Sequence, residues 1–417
     1  MRFFVLVMAA ASASLGVSLA SADAPESVTL DLARVIELAS ERSPSMQLAR
    51  AQVAEAEARL AGADVRALEN PTVGAALGPR IGPNNNVDVE LSLEVPIERG
   101  GRRAKRVAAA GAAVAGEHLR VEETRRQTVA AAARSYYRAL AARERVQVAR
   151  EQKRLAEEML GAAQARFEAG QVPQLEVSLA RAEVARAGSQ IAAEEVGSVR
   201  ARTELALALG LPSTFDLSPV GELKDRRLFA VAGPGTPETR ADVLASLADM
   251  KTADAEAALA ETERLPDVAL TLSYAREEDA NVLLGGVSVS LPLFNPRKGA
   301  VLEAQARRDR ARVEAETRKA AASAEIEGAR ESYRAAVEAL RRLEEDALPL
   351  GLENERLTFE SYRAGKIGLS TLLQVRREAL EARRAHLDTL LDAAEAGTDL
   401  AAALGSLSMT TNTNPTH

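Results

Sequence analysis

The chain has 417 residues, a formal charge of −7, no cysteine and only 3% aromatic residues. Disulfides, thiolate metal sites and a lipid-bearing cysteine behind a leader are therefore excluded. An acidic chain without a basic stripe offers no surface for nucleic acid. Hydrophobic content is 47%, much of it alanine, which suits helices in close approach rather than one thick core.

At the N-terminus, Met1-Arg2 precedes an apolar run from Phe3 to Ala20 and then small residues. Residues 1–22 read as a secretory signal peptide ending at Ala20-Ser21-Ala22. Residues 23–210 form a first structural unit. "AEAEARLA" (Ala54–Ala61) is built from strong helix formers. Strands are expected at 71–78 and 87–97. In the second, Val87, Val89, Leu91, Leu93 and Val95 alternate with Asp88, Glu90, Ser92 and Glu94, which puts the apolar side chains on one face. Pro79, Gly82, Pro83 and Asn84–Asn86 supply the loop between them. From 102 to 167 no proline interrupts an Ala/Arg/Glu/Leu-rich run, so one helix of roughly 100 Å is expected. It stops at "AGQVP", where Gly170 suits a left-handed cap. A return helix follows over 174–209.

Residues 211–239, with four prolines and three glycines, read as a connector with room for a short strand. A second unit then spans 240–405. Its strands are expected at 267–275 and 284–294, its long helix at 299–362 with a kink at Pro349, and its return helix at 369–404. The tail 406–417 has no apolar period and is expected to be disordered.

The two units are copies. "FEAGQVPQLEV" (Phe167–Val177) returns as "YRAGKIGLSTL" (Tyr362–Leu372) at an offset of 195. "ARSYYRA" returns as "ARESYRA", and "LSLEVPI" as "VSVSLPL", both at 196. Landmarks in one order at a nearly constant offset mark a tandem duplication of about 200 residues. The strands are long enough to cross an outer membrane when tilted, and in lipid they must close. Four per chain fall short of the roughly eight that the smallest barrels need, so two, three or four copies must combine. Asp88, Glu90, Glu94, Ser288 and Ser290 would then face the lumen and the alternate residues the lipid. Tyr274 and Phe294 are the best candidates for an aromatic girdle. The basic run after Arg99 is expected near lipid headgroups.

No catalytic constellation is visible. His118, His386 and His417 are scattered, with no ligand spacing for zinc or copper. His118 and His386 read as helix-surface residues, and no cofactor is expected.

Helix, two strands, long helix, hairpin and return helix, twice over, with "FxAG" and "YRAG" hairpins and "P[IL]" closing each second strand, resemble the TolC-like outer-membrane efflux duct family. The size and "RSYYRALAARERV" loosely resemble its cobalt–zinc–cadmium branch. The resemblance implies a mainly α fold with a β-barrel contribution. Three copies would build a 12-stranded barrel in the outer membrane and a long α-helical barrel in the periplasm. It implies a passive duct, not an enzyme, with a periplasmic adaptor, an inner-membrane pump and outer-membrane lipid as partners. By the same resemblance, the adaptor-docking tripeptides fall on Ala169-Gly170-Gln171 and Ala364-Gly365-Lys366. The acidic aperture position falls on Glu176, while the two aperture aspartates fall on Thr371 and Gln374, which carry no charge. Glu168, Arg363 and Lys366 are candidates for inter-helix ties that close the tip. The competing reading is a periplasmic coiled-coil adaptor or scaffold, which would not need two pairs of amphipathic strands.

Overall fold

The computed structural model describes residues 27–79, 87–212, 216–224, 235–277 and 280–406. The signal peptide, the loop at 80–86 and the tail beyond Ser406 lie outside the described residues.

Strand β1 (Ser27–Leu30) leads into α1 (Leu32–Arg42) and α2 (Pro44–Ala63). Asp31 caps α1, its carboxylate accepting from the Arg34 N–H at 2.8 Å. Pro44 opens α2, where a missing N–H costs nothing. Strands β2 (Thr72–Pro79) and β3 (Val87–Ile97) precede α3 (Arg102–Glu168), whose 67 residues reach about 100 Å. Helix α4 (Gln174–Leu209) returns alongside it. After β4 (Asp216–Pro219), the order helix, two strands, long helix, return helix recurs as α5 (Ala241–Thr262), β5 (Asp267–Glu277), β6 (Ala280–Ser290), α6 (Lys298–Arg342), α7 (Leu348–Arg363) and α8 (Leu369–Ala403).

Two elements depart from the sequence expectation by more than two residues. The strand expected at 284–294 runs from Ala280 to Ser290. Pro292 has no N–H to continue a ladder, and Leu293 instead bonds back to the Leu291 carbonyl at 2.9 Å in a tight turn. Phe294 is therefore past the strand and fully exposed. The helix expected at 299–362 is interrupted by a π turn, Leu343–Ala347. Pro349 lies directly after it, in the first turn of α7. Its ring cannot donate to residue 345, and the wider turn absorbs the mismatch, with Leu348 N–H reaching back to the Leu343 carbonyl.

β2, β3, β5 and β6 form one antiparallel sheet in that order. Its two outer edges, on β2 and β6, have no partner among the described residues. β1 and β4 pair in parallel and tie the connector to the N-terminal segment. There the main core gathers Leu30, Val35, Leu38, Tyr136, Tyr137, Leu140, Leu205, Leu209, Leu217, Leu223 and Leu390. The Tyr136 hydroxyl donates to the Val220 carbonyl at 2.6 Å, and Arg143 to that of Pro219 at 2.6 Å. Burial pushes the Tyr136 phenol up to about 12. Thus "SYY", a repeat landmark in the sequence, is the buried anchor of the connector.

Candidate functional site

The sheet is the first functional surface. Its register puts Val73, Leu93 and Leu272 in one cross-strand row, and Ala75, Leu91, Tyr274 and Leu283 in the next. Val95, Leu270 and Val287 make a third row on the same face. On the opposite face, Glu94 pairs with Thr72 and Thr271, Ser92 with Gly74 and Ser273, and Ser288 with Ala269. Strict alternation along each strand then brings Asp88, Glu90, Glu94, Ser288 and Ser290 to that second face together. Val73, Leu77, Leu270, Leu272, Leu283 and Val287 stay exposed. A soluble sheet would cover such a face.

The junction of strand and helix is fixed by arginines. Arg106 donates to the Ala63 and Val65 carbonyls at 2.8 and 3.0 Å and pairs with Glu98 at 2.7 Å. Burial opposes ionisation of Glu98, but the hydrogen bonds from Arg106 and the Leu68 N–H prevail and hold its carboxyl below the usual range. Arg102 donates to the Leu265 carbonyl at 2.7 Å and pairs with Asp267, and Arg103 pairs with Asp64 at 2.6 Å. The basic run expected at lipid headgroups is thus largely spent inside the subunit.

The hairpin tips are the second surface. Both long helices end in the same left-handed cap. Gly170 has φ +67° and Gly365 φ +74°. The Gln171 N–H reaches the Arg166 carbonyl at 2.9 Å, and the Lys366 N–H reaches that of Ser361 at 3.0 Å. These bonds satisfy carbonyls the helix end would leave open. Ala169, Gly170, Gln171, Ala364, Gly365 and Lys366 are all exposed. Behind them Met159, Ala163, Val177, Ala180, Tyr362, Leu369 and Leu372 form a small core that packs one hairpin against the other.

Glu176 stands in the first turn of α4 and is half-buried. The fully buried Tyr362 donates to its Oε2 at 3.1 Å, and burial first, then this carboxylate, raises the Tyr362 pKa. The Arg166 guanidinium sits 4.7 Å from the Tyr362 ring centre and donates to the Tyr362 carbonyl at 3.3 Å. Thr371 and Gln374 are exposed, and Gln374 donates to Glu378 at 3.3 Å. Glu168, Arg363 and Lys366 are exposed and make no ion pair with a described residue of the same subunit. Within one subunit the tie between hairpins is made by Arg166, Tyr362 and Glu176 instead. Reading Tyr362 as the counterpart of Phe167 hid this role: Phe167 is exposed and Tyr362 is buried.

His386 is not a plain surface residue. Its Nε2 lies 3.3 Å from Glu344 Oε1, beside the π turn. His118 is exposed. Among the described residues no group of three or more His, Cys, Asp or Glu side chains fits a metal ion, and no helix is long and apolar enough to cross a membrane.

A family profile described as outer membrane efflux protein matches residues 35–211 and 237–406. The cobalt-zinc-cadmium resistance protein CzcC of Cupriavidus metallidurans is 23% identical over 327 residues, covering 75% of this chain and 76% of CzcC. The Campylobacter jejuni CmeC outer membrane channel superposes with a TM-score of 0.76 at 18% identity, over 90% of this chain and 85% of CmeC. The Vibrio cholerae outer membrane protein VceC superposes with a TM-score of 0.74 at 19% identity, over 90% and 96% of the two chains. These structures share the fold, in which four strands of one subunit continue into long helices. With the profile spanning most of its length, the chain belongs to the outer membrane efflux protein family and is a passive outer-membrane exit duct that extends into the periplasm.

Proposed function

We propose that three copies of this chain close one duct, which receives its cargo from an inner-membrane pump through a periplasmic adaptor. The carrying observation is the open-edged sheet with one apolar and one polar face. Unpaired strand edges are not tolerated in lipid, so β2 of one copy pairs with β6 of the next until the barrel closes. An 11-residue strand is about 36 Å long, and tilted by about 45° it spans a hydrocarbon core of some 25 Å. Asp88, Glu90, Glu94, Ser288 and Ser290 line the lumen, and the valine and leucine face meets lipid. The helices are arranged below as a periplasmic barrel.

In this reading Ala169-Gly170-Gln171 and Ala364-Gly365-Lys366 receive the adaptor, and Glu176 narrows the closed aperture. Thr371 and Gln374 add no charge there. Glu168, Arg363 and Lys366, which form no ion pair among the described residues, are placed to tie neighbouring copies. The likeness to CzcC supports divalent heavy-metal ions as cargo. Two measurements test the assembly. Mass determination of the detergent-extracted protein gives three copies, and a stable monomer would refute closure. A strain lacking the gene loses tolerance to zinc, cobalt or cadmium and regains it with the wild-type chain; unchanged tolerance would redirect the cargo assignment.

A further inference from the structure

A groove of about 490 Å³ runs between α4 and α8, with α3 at its base. Five arginines line it, Arg145, Arg186, Arg376, Arg377 and Arg384, against three carboxylates, Glu183, Glu194 and Asp388. The carboxylates are already engaged. Asp388 pairs with Arg145 at 2.5 Å, Glu183 with Arg186 at 3.0 Å, and Glu194 accepts from Gln190 at 2.6 Å. Arg377 and Arg384 pair with no carboxylate among the described residues. Glu381, one turn beyond Arg377, does not reach it.

The base of the groove adds a second observation. Arg376 is more than nine-tenths buried. One of its nitrogens donates to the Leu155 carbonyl at 2.7 Å, while its Nε faces Glu355 Oε1 at 3.8 Å, an ion pair too long for a hydrogen bond in which neither atom has another partner. Gln152 Nε2, on α3, is likewise buried without an acceptor. Buried N–H groups are rarely left so, because each forfeits its hydration for nothing. The wall of the groove therefore carries two uncompensated guanidinium groups, and beneath it lie two buried donors without acceptors, one of them facing the equally unpaired Glu355 Oε1. Arg377 and Arg384 are seven residues apart, about 10 Å along the helix.

We propose that this groove binds a small polyanion, a molecule carrying two or more carboxylate or phosphate groups. Guanidinium forks of Arg377 and Arg384 hold separate anionic groups, and a small turn of the Gln152 side chain brings its free Nε2 to an oxygen between them. The volume suits a small molecule. The side of the barrel follows from helix spacing, and this step rests on the duct reading. Glu176, Glu183 and Gln190 recur every seven residues on one face of α4, and so do Ser370, Arg377 and Arg384 on α8. If Glu176 borders the aperture, the groove opens to the lumen directly beyond it. A trimer then carries three cationic troughs behind an acidic ring.

The test uses the full-length protein extracted in detergent. Titration calorimetry with citrate and with pyrophosphate shows saturable binding to the wild type. The R377Q/R384Q protein, whose changes lie on an exposed and a half-buried side chain, keeps its mass and thermal unfolding but binds roughly tenfold or more weakly. Q152L provides an independent arm, since it removes one unsatisfied donor without touching charge, and it also weakens binding. No saturable binding to the wild type, or equal binding to R377Q/R384Q, would overturn the site. In planar bilayers citrate added to the periplasmic side reduces monovalent current in the wild type and less so in R377Q/R384Q. Binding without any effect on current would overturn the lumenal placement alone, and the calorimetric arm stands whether or not the duct conducts.

Discussion

The Tyr362 hydroxyl donates to Glu176 Oε2 across 3.1 Å, and this bond joins the end of α7 to the start of α4. The two residues lie 186 positions apart, one in each half of the duplicated chain. Tyr362 is fully buried in the small core shared by the tips. The hairpins of one subunit are therefore held by a polar contact whose donor cannot be replaced by water without disturbing that core.

Tyr362→Phe removes the hydroxyl and leaves the ring under Arg166. A hydrogen bond to a charged group contributes about 1.5–3 kcal/mol. Loss of the bond should raise the open population of the resting tip about tenfold or more, with trimer yield unchanged. Single-channel recording of resting conductance reads this directly, and a conductance equal to the wild type would show that the contact does not restrain the tip.

Glu176→Gln keeps an oxygen for Tyr362 and removes the charge. In the proposed trimer, three Glu176 carboxylates crowd the axis, where they would raise the local negative potential and attract cations. Cation preference and divalent block should both fall, and by more than in Asp88→Asn, whose position lies in the wider sheet. Equal effects of the two variants would place Glu176 away from the aperture.

Gly170→Trp and Gly365→Trp should assemble normally and lose efflux. Both glycines have positive φ, yet neither would bring a Cβ nearer than 4.0 Å to a neighbour. The folding cost is thus mainly backbone strain, of order 1 kcal/mol, while the ring obstructs docking. Gly170→Asn, whose side chain tolerates the left-handed region, should retain efflux. Resistance at the wild-type level in the Trp variants, with normal adaptor cross-linking, would remove the tips from the docking surface.

A buried ion cluster anchors α5 to α6. Arg240, 1% exposed, pairs with Asp242 at 2.6 Å and Glu325 at 2.5 Å, and Arg318 also pairs with Asp242. Burial opposes the Asp242 charge, but Arg240 and Arg318 outweigh it and hold the carboxyl at about 2. A depressed carboxyl pKa stabilises the fold fully above the ordinary value of 3.8. That contribution is lost as pH falls towards 2. Asp242→Asn should destabilise by about 3 kcal/mol at neutral pH, because it leaves the buried Arg240 with Glu325 as its one remaining carboxylate in the cluster. The gap to the wild type should narrow below pH 4. Urea unfolding at pH 7 and pH 3 measures both, and a pH-independent gap would deny the Asp242 charge its role.

Periodicity carried most of the architecture. Alternation at Val87–Val95 is a property of consecutive residues, and so is the run of helix formers from Arg102. The duplication also shows in the letters alone, and it identified both hairpins. Gly170 and Gly365 were legible because a left-handed cap is a local backbone demand that few residues meet. Pro349 announced an interruption in the same local way, but its form as a π turn depended on how α6 and α7 pack along α8. The far end of β6 needed the ladder itself, since alternation continues to Leu293 while pairing stops at Ser290.

Sequence alone thus determined the element types, the repeat and the turn positions, because each depends on neighbours within a few residues. Only the tertiary structure decided which repeat partner is buried, Tyr362 rather than Phe167, and that Arg376 and Gln152 end beside unmatched arginines at the base of one groove. Those outcomes depend on side chains more than 150 positions apart meeting at one place, and no local pattern encodes which of two equivalent helical positions will face the neighbour.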